Sequence, residues 1–230
     1  MTEIELYRQQ FIDELRFNAE HEGTEPGAQF IEKVLNDLEE IGELNDPIQM
    51  SIEMRGSRNR IIGFDAYAYD EADGALVLIA SEFTNRRDSA VTLTNTRIDE
   101  LYMHMRNFIE ESVNGNISRF CDDSDPALEM SKEFRKKIGK SLATSEIMRF
   151  KFVIISDAIL SKQVKNLSQE AFLDRPVELN VWTIERLYQT FATNTSEIIE
   201  FDTNEFGCEG IKCLKADIGD ANDYDAYLGI

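Results

Sequence analysis

The chain has 230 residues, of which 42% are hydrophobic and 10% aromatic, enough for a continuous core and too many for a disordered chain. Its formal net charge is −20, from 44 acidic and 24 basic residues, so the chain as a whole repels a polyanion such as nucleic acid. No apolar run approaches the roughly 18–20 residues of a membrane-spanning helix, and the first residues lack the pattern of a secretory signal. We therefore expect a cytoplasmic protein with no membrane partner.

Cysteine and histidine are too few for several classes of active site. The three cysteines, Cys121, Cys208 and Cys213, lack the spacing of a disulfide framework, as is typical of proteins from a reducing compartment. Two histidines, His21 and His104, nearly exclude histidine-based metal sites and Ser-His-Asp catalysis. Walker, GxGxxG and GxSxG motifs are absent as well, which argues against P-loop motors, dinucleotide-dependent dehydrogenases and serine hydrolases.

Two helices followed by strands are predicted in the first part of the chain. Apolar residues at helical spacing predict a helix from about residue 4 to 19, and a second from about 28 to 42. Alternating and apolar runs then predict strands, and Asp73-Gly74 is a hairpin signal between the last two. These strands are expected at Ile48–Met54, Ile61–Tyr69 and Ala75–Phe83.

Helices and strands alternate in the rest of the chain. A helix is predicted over about 96–113, starting at the capping-like Thr96, and Asp125-Pro126 has the cap-then-proline order that begins another. Further strands or extended pieces are expected at Arg149–Ser156, Val177–Trp182, Glu197–Asp202 and Ile211–Leu214, with a short helix at Ile184–Phe191. This order predicts an α/β fold in which helices flank a mixed central sheet.

The organisation expected from these elements has three parts. Residues 1–26 form an N-terminal helix, 27–192 form the α/β core, and 193–230 form a C-terminal extension. The last stretch is acidic and contains no base after Lys215, and its end is more typical of a boundary within a longer chain than of a natural terminus. We therefore expect the extension to lead into a further C-terminal region.

Acidic residues on the predicted helix and hairpin indicate the most informative candidate chemistry. Glu32 on the second helix, Asp65 in Gly63-Phe64-Asp65 and Glu82 in Ala80-Ser81-Glu82 follow the layout of the PD-(D/E)XK nuclease core. There the acids hold Mg²⁺ or Mn²⁺ against a phosphate, and a lysine orients the attacking water. Asp65 and Glu82 are the candidate metal ligands, and all three are candidate catalytic residues. Two positions depart from the motif. Ala80 stands where the motif has its first acid, and Glu82 stands where the motif has its lysine.

Two arginine groups bracket this candidate site in the sequence. Such side chains could neutralise phosphates, so binding of nucleic acid is expected to be weak and steeply salt-dependent, and to use a local basic patch. The alternative is that they are ordinary solvated charges. The candidate nucleic-acid-binding residues are Arg55, Arg58, Arg60, Arg86 and Arg87.

The sequence from Val177 to Tyr188 resembles the strand and I-x-R-L helix of the abortive infection phage resistance proteins. The segments Ile199–Asp202 and Ile211–Ala216 are similar to the same family, as is the ending Asp223–Ile230 with its Y-x-x-Y-L pattern. The hairpin from Gly63 to Phe83 resembles the family's G-[IF]-D strand pair, although the family's Gln-x-Lys reads Ala80-Ser81-Glu82 here. The resemblance implies a bacterial anti-phage protein with a restriction-endonuclease-like N-terminal core.

Two functions remain open at this point. The domain is either a nuclease-derived module with weak or lost phosphodiesterase activity, or a non-catalytic interaction or sensing domain. Asp65, Glu82, Glu32 and the arginines favour the first, whereas the net charge and the two departures from the motif favour the second. The expected partners are nucleic acid, the C-terminal region of the same protein, and, as an open alternative, a second copy of the chain.

Overall fold

The computed structural model describes residues 2–87, 91–139, 142–162 and 170–192, together with the backbone of two short strands at 213–216 and 226–229. The chain divides into two compact units, Met1–Thr193 and Asn194–Ile230. In the second unit, β8 (Cys213–Ala216) pairs with β9 (Ala226–Gly229) in an antiparallel ladder. The predicted strand Glu197–Asp202 and Cys208 lie outside the described residues.

Local capping signals set the ends of the helices. Thr2 and Glu5 form a reciprocal capping box at the start of the first helix, and Gly23 ends it in the left-handed conformation. Pro26, which interrupts the helical pattern in the sequence, occupies the first turn of the second helix. The third helix is capped by Thr94 and not by Thr96 as predicted. The helices are α1 (Glu3–Glu22), α2 (Pro26–Glu40), α3 (Asn95–Asn114), α4 (Pro126–Ile138) and α5 (Ile184–Leu187).

A five-stranded mixed sheet forms the centre of the first unit, and this confirms the predicted α/β fold. Its order is β1-β2-β3-β5-β7, with β1, β2 and β3 antiparallel and β3, β5 and β7 parallel. β3 therefore has a partner on each side, as its uninterrupted apolar run predicts. The strands are β1 (Ile48–Arg55), β2 (Ile61–Asp70), β3 (Ala75–Glu82), β5 (Arg149–Ser156) and β7 (Val177–Trp182), and the separate parallel pair is β4 (Thr92–Leu93) and β6 (Ile159–Leu160).

Alternating side chains of the central strands build a core on each face of the sheet. On β3, Leu76 and Leu78 pack with residues of α3 and α4, whereas Val77 and Ile79 pack with residues of α1, α2 and α5. The fold is thus three layers, with the sheet between two groups of helices. This arrangement is consistent with a nuclease-like α/β core.

The predicted helix Ile184–Phe191 is only partly correct. The α-helix stops at Leu187, and Tyr188–Ala192 forms a wider π-helical turn. This turn places the Tyr188 ring 5.3 Å from that of Tyr7, and its hydroxyl donates to Glu3 at 3.0 Å. The π-helical turn therefore brings Tyr188 into contact with α1.

A buried ion pair joins α1 to the carboxyl ends of β3 and β5. Arg8 and Asp157 have side chains only 3% and 0% exposed, and Arg8 Nη2 lies 2.8 Å from Asp157 Oδ2. The same carboxylate accepts hydrogen bonds from the backbone N–H and hydroxyl of Thr84, each at 2.7 Å. Arg8 Nε also donates to the Asp157 carbonyl at 2.7 Å. Every polar group of this cluster thus has a partner, which its burial requires.

We predict that Asp157→Ala lowers the free energy of unfolding by about 3–5 kcal/mol, because it leaves the Arg8 guanidinium buried without its counter-charge. Urea denaturation followed by circular dichroism measures this change. Asp13→Ala is the control, since Asp13 pairs with Arg87 at 2.9 Å but both side chains are about half exposed, and its cost should stay below about 1 kcal/mol. Equal costs for the two substitutions would contradict a structural role for the buried pair.

Candidate functional site

β2 and β3 separate before their ends, and the separation produces a small polar pocket on the α3 side of the sheet. Their backbone pairing stops at Ala66 and Ile79, and the β1–β2 register shifts between Gln49 and Ile52. A side chain at Gly63 would collide with the Ile52 carbonyl oxygen, so glycine permits this close approach of β1. The pocket measures about 170 Å³, and its polar lining is Glu53, Asp65, Ser81, Arg97 and His104.

Asp65 lies where β2 and β3 separate, a place that we call the fork. Its Oδ2 accepts hydrogen bonds from the Ser81 backbone N–H at 2.7 Å and from the Ser81 hydroxyl at 2.8 Å. Its Oδ1 accepts a further bond from the Ser51 hydroxyl at 3.1 Å. The carboxylate therefore replaces the missing backbone acceptor for β3, and both of its oxygens are engaged by the protein's own donors.

Glu82, at the end of β3, is held by an arginine of α3. Arg97 donates to Glu82 Oε2 through Nε at 2.8 Å and Nη2 at 2.6 Å, and its Nη1 donates to Glu100 at 3.0 Å. Burial opposes the charge on Arg97, but the bonds to Glu82 and Glu100 outweigh it and raise the pKa of Arg97 above its ordinary value. The guanidinium therefore stays protonated between the two carboxylates.

Glu32 lies apart from these two acids. It is exposed on α2, whose buried residues pack on the sheet face opposite α3, and its Oε2 accepts a long bond from Gln29 at 3.4 Å. The structure thus places Asp65 and Arg97 in one pocket, and Glu82 is paired with Arg97. It does not bring the three predicted carboxylates together. Within the described ranges, no group of three or more His, Cys, Asp or Glu residues is placed to hold a metal ion.

These residues do not fit Mg²⁺ or Mn²⁺ as they stand. Such ions need several free oxygen ligands, yet both oxygens of Asp65 accept hydrogen bonds and Glu82 is paired with Arg97. Ala80, which lines the same pocket, supplies no ligand where the nuclease motif has an acid. The Arg97 guanidinium is the cation that the site does contain.

A polar stripe on α3 forms one wall of the pocket and of a shallow groove beside it. This stripe was not predicted from the sequence. Its members recur every three or four residues, and the groove of about 640 Å³ also contains the exposed Met103. The spacing of these residues could have indicated the stripe, because it places their side chains on one helix face next to the predicted apolar stripe. The residues of the stripe that line the pocket or the groove are Arg97, Glu100, His104 and Asn107, and Glu111 continues the stripe beyond them.

His104 is the residue of this stripe whose ordinary pKa lies closest to physiological pH. Burial is the largest cause that lowers the pKa of His104 below its ordinary value, and the positive charge of Arg97 adds to it. Glu53 and Glu100 act in the opposite direction but do not reverse the shift. The imidazole can therefore offer one donor and one acceptor nitrogen to the pocket.

The predicted arginines have different environments at this end of the sheet. Arg60 is committed to α3, because it donates to Asn107 at 3.1 Å and to Glu110 and Glu111 at 3.3 Å. Arg87 pairs with Asp13. By contrast, three arginines are exposed and have no ion-pair partner among the described residues. They are Arg55, Arg58 and Arg86. Their contact with nucleic acid stays a prediction.

Comparison with known proteins identifies the family. No helix in the described part of the chain combines the length and apolar character needed to cross a membrane. Neither the curated proteins nor the solved structures gave a significant match. The model of the abortive infection phage resistance protein N-terminal domain matches residues 30–189, more than two-thirds of the chain, from within α2 to the turn after α5. The chain therefore belongs to the abortive infection phage resistance family and carries its N-terminal domain.

Proposed function

We propose that this domain is a nuclease-derived module of PD-(D/E)XK type that has lost phosphodiester cleavage and acts in phage resistance by binding. The observation that carries the proposal is that both candidate metal ligands are already held by donors of the protein. Asp65 accepts three hydrogen bonds, and Glu82 accepts two from Arg97. A metal ion would have to displace these bonds before it could bind.

The order of elements supports derivation from a nuclease core. The helix α2 is followed by the antiparallel strands β1, β2 and β3, then by the short β4, by α3 and α4, and then by β5 parallel to β3. With α3 and α4 together forming the helical connection, this is the helix, hairpin, strand, helix, strand layout of the PD-(D/E)XK core, in which an Asp begins or interrupts one strand. Asp65 lies at the fork. The likeness concerns the fold and one acid, and activity requires more than a fold.

Two substitutions support the loss of cleavage. Alanine at position 80 removes an oxygen from the side of the pocket that faces Asp65, and glutamate at position 82 replaces the lysine that would orient a water molecule. Arg97 pairs with Glu82 and neutralises its charge. The guanidinium therefore supplies a positive charge where a metal ion would, but it cannot activate a water molecule. These departures leave the fold without the groups that cleavage needs, which agrees with a role in binding.

We predict no Mn²⁺ binding by the wild-type domain in calorimetry, and no cleavage of DNA or RNA in Mg²⁺ or Mn²⁺. Restoring an acid and removing the internal cation, with Ala80→Asp and Arg97→Gln together, should create Mn²⁺ binding, because Asp65 gains a neighbouring carboxylate. Mn²⁺ should then also raise the melting temperature of this double variant.

The matched control is Ala80→Asn with Arg97→Gln, which has nearly the same shape but lacks the added charge, and it should not bind Mn²⁺. Cleavage by the wild-type domain that disappears with Asp65→Asn would contradict the proposed loss of activity. Absence of Mn²⁺ binding by a folded double variant with Ala80→Asp and Arg97→Gln would contradict the nuclease-like geometry of the pocket.

A nucleic-acid contact is the second function that a specific observation favours. Arg55, Arg58 and Arg86 are exposed without ion-pair partners among the described residues. The β1–β2 turn and the residues after β3 lie at the same end of the sheet, because β2 and β3 are antiparallel. We infer that a phosphate backbone would meet these side chains first, in spite of the net negative charge.

For this surface we expect weak binding of single-stranded DNA or RNA in fluorescence anisotropy, falling steeply from about 50 to about 200 mM salt. Arg58→Gln with Arg86→Gln should weaken it and flatten the salt dependence, because each lost phosphate contact reduces the slope by about 0.7–0.9. Lys132→Gln with Lys136→Gln removes the same charge from the exposed side of α4 and is the control. Equal effects of the two pairs would show that only net charge matters, and would contradict a defined surface.

A further inference from the structure

A second pocket, which shares no residue with the Asp65 pocket, lies between the C-terminal parts of α3 and α4 and the loop before β7. Its volume is about 560 Å³, within the range of small-molecule sites. Its walls combine apolar side chains with two arginines. The main lining residues are Val113, Arg135, Ile138, Leu142, Leu173 and Arg175.

Arg175 carries a buried positive charge with no carboxylate partner. The residue is 4% exposed, and its guanidinium donates to the carbonyl oxygens of Leu173 at 2.6 Å, Ile138 at 2.7 Å and Ile147 at 2.8 Å. Burial lowers the pKa of Arg175, and the charge of Asp174 opposes this effect. No ion pair to Arg175 occurs in the described part of the chain. Buried charges in proteins are normally paired with an opposite charge, whereas Arg175 has only carbonyl dipoles and the Phe150 ring, whose centroid lies 5.9 Å from its guanidinium carbon.

Arg135 adds a second unpaired guanidinium to the same pocket. It is exposed on α4, and no described residue forms a hydrogen bond or ion pair with its guanidinium. Its Nη1 lies so close to Gly115 that a side chain there would collide with it. The absence of a side chain at Gly115, which ends α3 with φ 72°, thus lets the guanidinium lie over the end of that helix. Asp174 is the one acid among the residues that line the pocket.

The loop that forms the outer wall has an unfavourable backbone conformation. Leu173 and Asp174 both have left-handed φ angles, 50° and 59°, which residues with side chains adopt at a cost. Backbone bonds between Phe172 and Arg175, at 2.9 and 3.0 Å, close the turn, and the bond from Arg175 to the Leu173 carbonyl holds it. Such conformations persist where surrounding contacts fix them, and they are concentrated at ligand sites.

We propose that this pocket binds a small organic molecule that carries a phosphate group. Guanidinium groups match the geometry of phosphate oxygens, and a phosphate can accept from two arginines at once. Val113, Ile138, Leu142 and Leu173 provide an apolar wall for the organic part of the ligand. A mononucleotide has this combination of groups and a compatible size. The site is independent of the proposed loss of cleavage, because the two pockets lie in different parts of the fold and share no side chain.

Calorimetry with adenosine monophosphate, inorganic phosphate and adenosine tests this site. We expect adenosine monophosphate to bind more tightly than inorganic phosphate, and adenosine to bind much more weakly than either. Arg135→Gln should weaken binding of adenosine monophosphate at least about tenfold, because it removes a charged hydrogen-bond donor. This substitution is preferred to one at Arg175, whose three carbonyl bonds make it part of the fold.

Lys136→Gln is the matched control, since it removes the same charge from the neighbouring position on α4 and does not line the pocket. It should leave the affinity for adenosine monophosphate unchanged. Three outcomes would overturn the proposal: no heat with either phosphate probe, equal weakening by Arg135→Gln and Lys136→Gln, or adenosine binding as tightly as its monophosphate. None of these outcomes bears on metal binding at Asp65, so the two proposals can fail separately.

Discussion

The divergence of β2 from β3 beyond Ala66 and Ile79 is the constraint on which the candidate site depends. Two strands that separate within a sheet leave backbone donors without their usual acceptors, and these must be satisfied from elsewhere. On the α3 side Asp65 supplies the acceptor for Ser81. Beyond the strand ends, the buried carboxylate of Asp157 does the same for Thr84. Asp65, which faces a pocket, therefore stabilises the fork, and Asp157, inside the core, stabilises the chain beyond the end of β3.

Under the proposed function, the same arrangement explains how a nuclease-derived fold would persist without metal chemistry. An acid that satisfies a strand donor contributes to the fold whether or not a metal binds, so Asp65 has a structural reason to remain. Arg97 compensates the charge of Glu82 and removes the need for a bound cation. In this account the exposed arginines form the recognition surface, and the abortive infection family gives that surface its biological setting.

Much of the fold could be predicted from the sequence because its signals are local. Apolar runs indicated β2, β3 and β5, and alternation of their side chains explains the two cores. Pairings across long separations could not be predicted in this way. Arg8 and Asp157 are 149 residues apart, and nothing in their local sequence indicates that they meet. The candidate site was only partly predictable for the same reason. Asp65 was identified because a motif names its position, and the structure places it at the fork.

Glu32 was chosen by analogy, and it lies on the helix layer that packs against the other face of the sheet. Arg97 was not singled out in the sequence, and His104 was considered only as one of two histidines, too few for a histidine-based site. Only the position of α3 beside the fork shows that both residues line a pocket.

The most direct test of the account is protection against phage by the full-length protein that carries this domain. Asp65→Asn and Glu82→Gln keep the shape of each side chain and most of its hydrogen-bonding capacity, but remove the charges that metal-dependent cleavage requires. Plaque counts on cells that produce each variant at equal soluble levels measure protection. The account predicts that both variants protect as well as the wild type. Loss of protection by Asp65→Asn, in a protein of unchanged stability, would contradict it.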